Sequence, residues 1–170
     1  MTVTRTKKGT LAVTLVVMMI LIFPSSGAFA KQLIGWLEKV ALVEPAMVLH
    51  AKIDTGADHS SLNTSDYKII NIDDVKWIQF SVQNRDGDTA VLKTPLLRFS
   101  KIKRKNTPSQ KRPVTNLGIC IGNIYKVVEV NLVDRSNYKY QMLIGRSFLN
   151  GNSIVDSSLE YTISPSCKPE

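Results

Sequence analysis

Short strand-length runs separated by turn signals follow one another through most of this chain. The run KWIQFSVQ alternates apolar and polar residues, and NRDGD behind it carries Asp86-Gly87, a strong hairpin signal. LGICIG and IYKVVEVNLV flank a second turn at Gly122-Asn123. No segment keeps a helical period over three turns. We therefore predict an all-β domain, a small barrel or sandwich, with at most one short helix, after Gly145.

The first 30 residues have the three-part layout of a secretory signal peptide. A basic start, TVTRTKK, precedes an apolar run that is shorter than the roughly 20 residues of a membrane helix, and PSSGAFA ends in an A-x-A cleavage pattern. We expect export to the periplasm or beyond, with cleavage after Ala30. An uncleaved N-terminal anchor is the alternative, and membrane contact is expected only through this segment. Residues 31–170 then form a single domain, with its core at about 34–163.

The two cysteines leave the disulfide question open. Cys120 lies in the apolar LGICIG and Cys167 in the tail SPSCKPE. Export would permit a bridge between them. A buried free thiol at Cys120, or pairing of Cys167 with another subunit, is equally compatible with the sequence.

The stretch KIDTGADHSSL places one carboxylate, Asp54, at the end of an apolar run. Thr55 can turn its hydroxyl inward, Gly56 permits a close backbone approach, and Ala57 is small enough to lie beside a substrate. A lone Asp is nevertheless a weak catalyst, and Asp-Thr-Gly also occurs in ordinary turns. Activating water while protonating a leaving amine takes two carboxyls that share a proton, since like charges about 3 Å apart cannot both ionise.

A second motif, MLIGRSFL, follows Asp54 after about 90 residues. Apolar-Asp-Thr-Gly-Ala followed by apolar-apolar-Gly-Arg resembles the retropepsin-like aspartic proteases. More closely, the chain resembles a bacterial family often labelled ATP-dependent zinc proteases or ribosomal-modification-associated peptidases. The matching pieces are GWLEKVAL, AKIDTGADHSSL, KRPV, VNLVDRSNYKYQMLIGRSFL and IVDSS. The resemblance implies a small closed barrel of retropepsin type.

The resemblance also implies a role for each residue of the two motifs. Asp54 would be the catalytic aspartate, and Thr55 would hydrogen-bond its symmetry mate across a dimer. Gly56 would offer its backbone to the substrate. Arg146 would pair with Asp58 in a partly buried ion pair. The other residues that would support the active-site loop are Ala57, Leu143, Ile144 and Gly145.

One Asp-Thr-Gly per chain predicts a homodimer in which two catalytic loops meet at a twofold axis. Asp134 and Asp156 lack the Thr-Gly that shapes such a loop, so we expect no partner within the chain. We predict no metal and no cofactor, because HExxH, a Cys pair at metal spacing and GxxxxGK[ST] are absent from the sequence. His50 and His59 are the only histidines and give a poor ligand set.

The stretch KIKRKNTPSQKR is strongly basic and falls where retroviral proteases have their flap. Its cations are Lys101, Lys103, Arg104, Lys105, Lys111 and Arg112. A solvated surface loop is one interpretation. The other is a charged lid that prefers acidic or glutamate-rich peptides, an idea suggested by this cluster and by the link of related families to glutamate ligation. Specific nucleic-acid binding is not expected, because no aromatic residue interrupts the stretch.

The sequence is therefore compatible with two functions. The first is an aspartic peptidase that acts as a homodimer on a peptide or protein substrate. The alternative is a non-catalytic periplasmic binding or adaptor domain on the same fold, which would use the basic loop to hold an acidic partner.

Overall fold

The computed structural model describes residues 30–104 and 107–167, with the side chains of all but residues 103, 104, 107 and 108. The strands are β1 (Gln32–Leu42), β2 (Met47–Ile53), β3 (Ser60–Asn63), β4 (Tyr67–Ile72), β5 (Val75–Gln83), β6 (Thr89–Pro95), β7 (Arg98–Arg104), β8 (Thr107–Ile121), β9 (Ile124–Val133), β10 (Met142–Ile144) and β11 (Ser153–Glu160). One helix, α1 (Arg146–Leu149), follows β10. All of the predicted signal segment (residues 1–30) except Ala30 lies outside the described residues, as does Lys105, so signal cleavage stays a prediction.

Eight of the strands form one sheet in the order β11-β1-β2-β10-β3-β9-β8-β7. β1 also pairs with β8 through Ala41 and Leu42, so the sheet returns on itself as a ring. A second sheet has the order β4-β5-β6. This arrangement confirms the all-β class, and α1 confirms the single short helix expected after Gly145.

The core follows from strand alternation, because successive side chains point to opposite faces of a sheet. In β2, Leu49, Ala51 and Ile53 are buried, whereas His50 and Lys52 point to the other face. The alternation predicted for KWIQFSVQ is confirmed in β5, where every second residue from Ile78 onward is buried. One face of β2 therefore contributes to the core, and the other is the face on which Lys52 precedes Asp54.

Both predicted turns contain a glycine whose backbone φ is positive. Gly87 and Gly122 have φ of 94° and 56°, which side chains with a Cβ rarely adopt. Gly122 joins β8 to β9, and its carbonyl accepts a hydrogen bond from the Ser166 amide of the C-terminal tail at 2.6 Å. Local turn chemistry thus sets both hairpins.

The C-terminal tail is fastened to the sheet at two points. Cys120 and Cys167 form a disulfide, which settles the pairing that the sequence left open. The fully buried Glu38 accepts hydrogen bonds at Oε1 from the amides of Gly35 (2.7 Å) and Thr162 (3.1 Å), and from the Thr162 hydroxyl (2.5 Å). A buried carboxylate is tolerated here because neighbouring donors satisfy it. Within the described part of the chain, no helix is long and apolar enough to cross a bilayer.

Candidate active site

The Asp54 loop packs against three strands, β2, β10 and β3, whose order in the sheet differs from their order in the sequence. β2 delivers Asp54, the chain turns, and it returns as β3, but β10 lies between them, parallel to β2 and antiparallel to β3. The Asp54 amide donates to the Ile144 carbonyl at 2.9 Å. Leu143 and Ile144 therefore lie beneath the loop, where the resemblance placed them.

The turn itself holds one oxygen of the Asp54 carboxylate. Oδ1 accepts a hydrogen bond from the Gly56 amide at 2.9 Å, and the Ala57 amide donates to the Asp54 carbonyl at 3.3 Å. Asp54 is half-buried, whereas Thr55 and Gly56 are exposed at the tip. The carboxylate is thus oriented by its own backbone, and the residues expected to meet a second subunit are accessible.

Arg146 braces the loop from α1. Its Nη1 donates to the carbonyls of Thr55 (2.9 Å) and Gly56 (2.8 Å), and its Nη2 contacts the Asp58 carboxylate. The expected Arg146–Asp58 pair is therefore formed. It is not partly buried as expected, because the Arg146 side chain is 49% exposed and that of Asp58 is 75% exposed. The brace consequently depends more on the two carbonyl contacts than on the ion pair.

Gly145 is required by the close approach of the loop to the start of α1. A Cβ at this position would lie 2.7 Å from the carbonyl carbon and oxygen of His59 and 3.0 Å from the Ala57 oxygen. The Arg146 amide donates to the Ala57 carbonyl at 2.8 Å, and the Gly145 amide donates to the Ser60 hydroxyl at 3.2 Å. The second motif thus packs directly against the first.

A cavity of about 580 Å³ opens beside Asp54 on the face of the sheet opposite the core. Its floor is one cross-strand row, in register over β2, β10, β3 and β9: Lys52, Leu143, Ser61 and Asn131. Ser100, Ile102 and Arg112 of the β7–β8 hairpin form a wall. A cavity of this size can hold several residues of a peptide.

The described part of the basic stretch lies in β7 and β8, which pair antiparallel and place its cations on different faces. Arg112 pairs with Ser100 and lines the cavity. Lys101 and Lys111 oppose each other in the next register position, and alternation places them on the other face. The side chains of Lys103 and Arg104, and the whole of Lys105, are outside the described residues. Of the six proposed lid residues, the structure therefore brings Arg112 alone, among those described, into the wall of the Asp54 cavity.

Sequence reasoning gave no role to Arg135, a buried arginine of this cavity. Arg135 is 9% exposed, and its Nη1 donates to the Ser61 hydroxyl at 3.2 Å. Burial lowers the pKa of Arg135 and the nearby Arg112 adds to this, while Tyr138 and Asp54 oppose it. The segment VNLVDRSN contributed to the family resemblance, and an arginine two residues after an apolar run was a signal that could have singled it out.

A second cavity, of about 730 Å³ and here called the outer cavity, also borders the loop. Thr55, Asp58, Arg146, Ser147 and Leu149 are among its lining residues. Asp58 thus borders both cavities, and the tip residue Thr55 faces the one that does not contain Asp54.

The part of the chain that the structure describes offers no donor set for the zinc of the family labels. Across residues 30–104 and 107–167, no group of three His, Cys, Asp or Glu side chains could hold a metal ion. His50 Nδ1 lies 2.9 Å from the Tyr161 hydroxyl, and His59 Nδ1 lies 3.8 Å from Glu129.

Comparison with known proteins agrees with this architecture. The model of the RimB-like family, described as retropepsin-like aspartic endopeptidase RimB, matches residues 33–166. The chain belongs to the RimB-like family. A solved structure of a protein of unknown function (DUF785) from Legionella pneumophila is also similar, with a TM-score of 0.67 and 29% identity, over 78% of this chain and 98% of that one.

Curated relatives of this RimB-like chain carry a different name. It is 27% identical over 124 residues to a probable alpha-L-glutamate ligase of Parasynechococcus marenigrum, covering 71% of this chain and 26% of the relative. It is 28% identical over 131 residues to a probable alpha-L-glutamate ligase of Shewanella pealeana, covering 75% and 28%. The chain therefore spans about a quarter of the length of these relatives.

Proposed function

We propose that this RimB-like chain is an aspartic peptidase that hydrolyses peptide bonds as a homodimer. The observation that carries the proposal is the Asp54 carboxylate. Its Oδ1 is fixed by the Gly56 amide, its turn is braced by Arg146, and it borders a cavity large enough for a peptide. Membership of a family of retropepsin-like aspartic endopeptidases supports the same reaction class.

The chemistry takes two Asp54 side chains, one from each copy. The ionised carboxylate accepts a proton from water as the water attacks the scissile carbonyl. The protonated carboxyl donates to the carbonyl oxygen and thereby polarises it. The amide bond then breaks, and the leaving nitrogen takes up a proton from the pair.

Dimerisation is supported by what the loop tip exposes. Thr55 and Gly56 are accessible, and Thr55 also borders the outer cavity. A twofold axis beside this tip would bring the two Thr55 side chains within hydrogen-bonding reach and place the two carboxylates side by side. The second half of the site is then supplied by assembly.

Acidic, including glutamate-rich, peptides are the proposed substrates. Lys52 and Arg112 line the Asp54 cavity, and the similar proteins named glutamate ligases connect related sequences with glutamate. Cleavage of acidic peptides should therefore be faster than cleavage of neutral ones and should weaken as salt rises, because exposed charges are screened. Equal and salt-independent rates for both would remove the charged lid from the proposal.

The proposed compartment is the periplasm or the cell exterior, reached through cleavage after Ala30. The Cys120–Cys167 disulfide supports this, because such bonds persist in oxidising compartments. Mass spectrometry of the protein recovered from the periplasm would test the cleavage site, and an intact N-terminus in the membrane fraction would favour the anchored alternative.

A binding or adaptor role on the same fold is the second candidate. It is favoured by Lys101 and Lys111, which oppose each other on the hairpin face away from the cavity. Like charges directly opposite each other destabilise a strand pair. An acidic partner protein that binds beside the two lysines would relieve their repulsion. This candidate predicts binding that is unaffected by loss of the Asp54 carboxylate.

One experiment separates the two candidates. The mature protein is purified, its oligomeric state is measured by light scattering, and peptide hydrolysis by wild type and Asp54→Asn is compared between about pH 4 and 7, where carboxyl pairs titrate. The peptidase proposal expects a dimer whose activity is lost in Asp54→Asn. Equal activity in both proteins, or none in either, counts against it. Loss of activity on adding a chelator would support the zinc-dependent activity that the family label implies.

A further inference from the structure

Arg135 is a buried cation of the Asp54 cavity whose described partners are all neutral. Nη1 donates to the Ser61 hydroxyl at 3.2 Å, Nε donates to the Tyr140 carbonyl at 3.4 Å, and the guanidinium lies 4.5 Å from the centre of the Tyr138 ring. None of the ion pairs among the described residues includes Arg135. Asp54 attracts the Arg135 charge through space, but no described carboxylate pairs with it directly, so the guanidinium can still take a carboxylate that arrives from outside.

The backbone holds Arg135 in this position. Its amide donates to the Asn63 side-chain oxygen at 2.5 Å, and the Tyr138 amide donates back to the Arg135 carbonyl at 2.7 Å. The stacked Tyr138 ring supports one face of the guanidinium plane. A side chain fixed in this way loses little freedom when it binds a ligand.

The charge is close enough to Asp54 for the two groups to interact. Burial lowers the pKa of Arg135, the Asp54 carboxylate acts against this lowering, and both residues line the same cavity. Arginine keeps its proton under all ordinary conditions, so the cavity contains a permanent positive charge near the proposed catalytic group. Planar guanidinium and planar carboxylate match in two parallel hydrogen bonds, a geometry that ammonium groups lack.

We propose that Arg135 receives a carboxylate of the substrate and thereby selects which peptide bond lies at Asp54. The inference rests on the proposed function only in that the cavity binds peptides. A peptide offers such a group in two places: the side chain of Glu or Asp, and the free C-terminus. The first source makes the protein an endopeptidase that cuts beside acidic residues, and the second makes it an enzyme that trims chains from the C-terminal end.

Binding can be tested without hydrolysis in the protein that carries Asp54→Asn. Four N-acetylated alanine hexapeptides serve as probes. They have a central Glu or Gln, and each has a free or an amidated C-terminus. Calorimetry should show about 10- to 100-fold tighter binding for peptides with the selected carboxylate, as expected for hydrogen bonds to a charged group. A Glu preference with either terminus identifies the side chain, and a free-terminus preference with either residue identifies the C-terminus.

The same titrations in Arg135→Lys and Arg135→Met identify the residue. Arg135→Met should abolish the carboxylate preference. Arg135→Lys should retain part of it, because the charge remains but the paired N–H donors of the guanidinium are lost. Arg85→Met is the matched control, since Arg85 is exposed and does not line the cavity. Thermal melts report whether each variant folds, and the four-peptide comparison needs no Arg135 variant.

Two results would overturn the proposal. One is equal binding of all four peptides, or none up to millimolar concentration, by the protein with Arg135 intact. The other is a carboxylate preference that survives in Arg135→Met and disappears in Arg112→Met, which would assign it to the hairpin. Because these measurements use the Asp54→Asn background, they remain informative even if the wild type hydrolyses nothing. A carboxylate preference with no hydrolysis by the wild type would reject the peptidase and retain the site.

Discussion

Replacing Arg146 with Met should lower the free energy of unfolding much more than replacing its ion-pair partner Asp58 with Asn. Arg146 holds the loop by three contacts, two to carbonyl oxygens of Thr55 and Gly56 and one to the Asp58 carboxylate. Arg146→Met removes all three. Asp58→Asn removes only the charge at one of them.

The magnitudes follow from exposure. Because the Asp58 side chain is 75% exposed, the ion pair contributes about 0–1 kcal/mol, and Asp58→Asn should lower the free energy of unfolding by less than about 1 kcal/mol. Hydrogen bonds from charged donors contribute about 1.5–3 kcal/mol, and with Arg146 49% exposed we take about 1 kcal/mol for each carbonyl. Arg146→Met should therefore cost about 2–3 kcal/mol.

The assay is denaturant unfolding of the two single variants and the double variant, with peptide hydrolysis measured in parallel. The coupling between the positions should be below about 1 kcal/mol, and Arg146→Met should lower kcat because the turn that orients Asp54 is no longer braced. Arg146→Lys keeps the charge without the fork and should fall between wild type and Arg146→Met. If both single variants cost the same and the coupling equals that whole cost, the ion pair holds the loop and the reasoning from exposure is wrong.

Three further predictions concern the rest of the fold. Glu38→Leu should cost about 3–5 kcal/mol, because it leaves buried amides without an acceptor, whereas Glu38→Gln keeps an acceptor oxygen and should cost far less; chemical denaturation of both variants distinguishes them. Replacing Cys120 and Cys167 with Ser should cost about 4 kcal/mol in the chain-entropy model for a separation of 47 residues, measured as the difference between oxidised wild type and the double variant. Burial lowers the pKa of His50, and nearby cations add to this, so its neutral form is favoured by folding. Its contribution to stability is present above its ordinary pKa and is lost as pH falls through the lowered value; melting temperatures from pH 7.5 to pH 5 should fall less steeply in His50→Gln.

Features that depend on local chemistry could be predicted from the sequence. The hairpin at Asp86-Gly87 follows from a glycine that accepts positive φ, and the strand around Ile78 follows from alternation alone. The paired motifs around Asp54 and Gly145 gave the family, and the structure brings them into direct contact through the Ala57 carbonyl.

Features that depend on long-range register could not be predicted in this way. Lys101, Lys111 and Arg112 belong to one basic stretch, but pairing in the hairpin turns Arg112 towards the cavity and the two lysines away from it. A stretch interpreted as a loop has no register, so the sequence could not assign these faces. The Cys120–Cys167 bridge depends in the same way on where the tail lies over the sheet, which no local pattern specifies.

The proposed carboxylate site at Arg135 would connect substrate choice with the proposed chemistry at Asp54. Arg135 and Asp54 line the same cavity, so a substrate carboxylate held at Arg135 would also fix the position of the scissile bond relative to Asp54. Two parallel hydrogen bonds from the guanidinium would restrict both the place and the orientation of the bound peptide. The acidic substrate would then aid catalysis as well as bind more tightly, so changing its Glu to Gln should lower kcat in addition to raising KM. In Arg135→Met the same change should leave kcat unaltered. A loss confined to KM in the wild type would show that Arg135 binds the substrate without positioning the scissile bond.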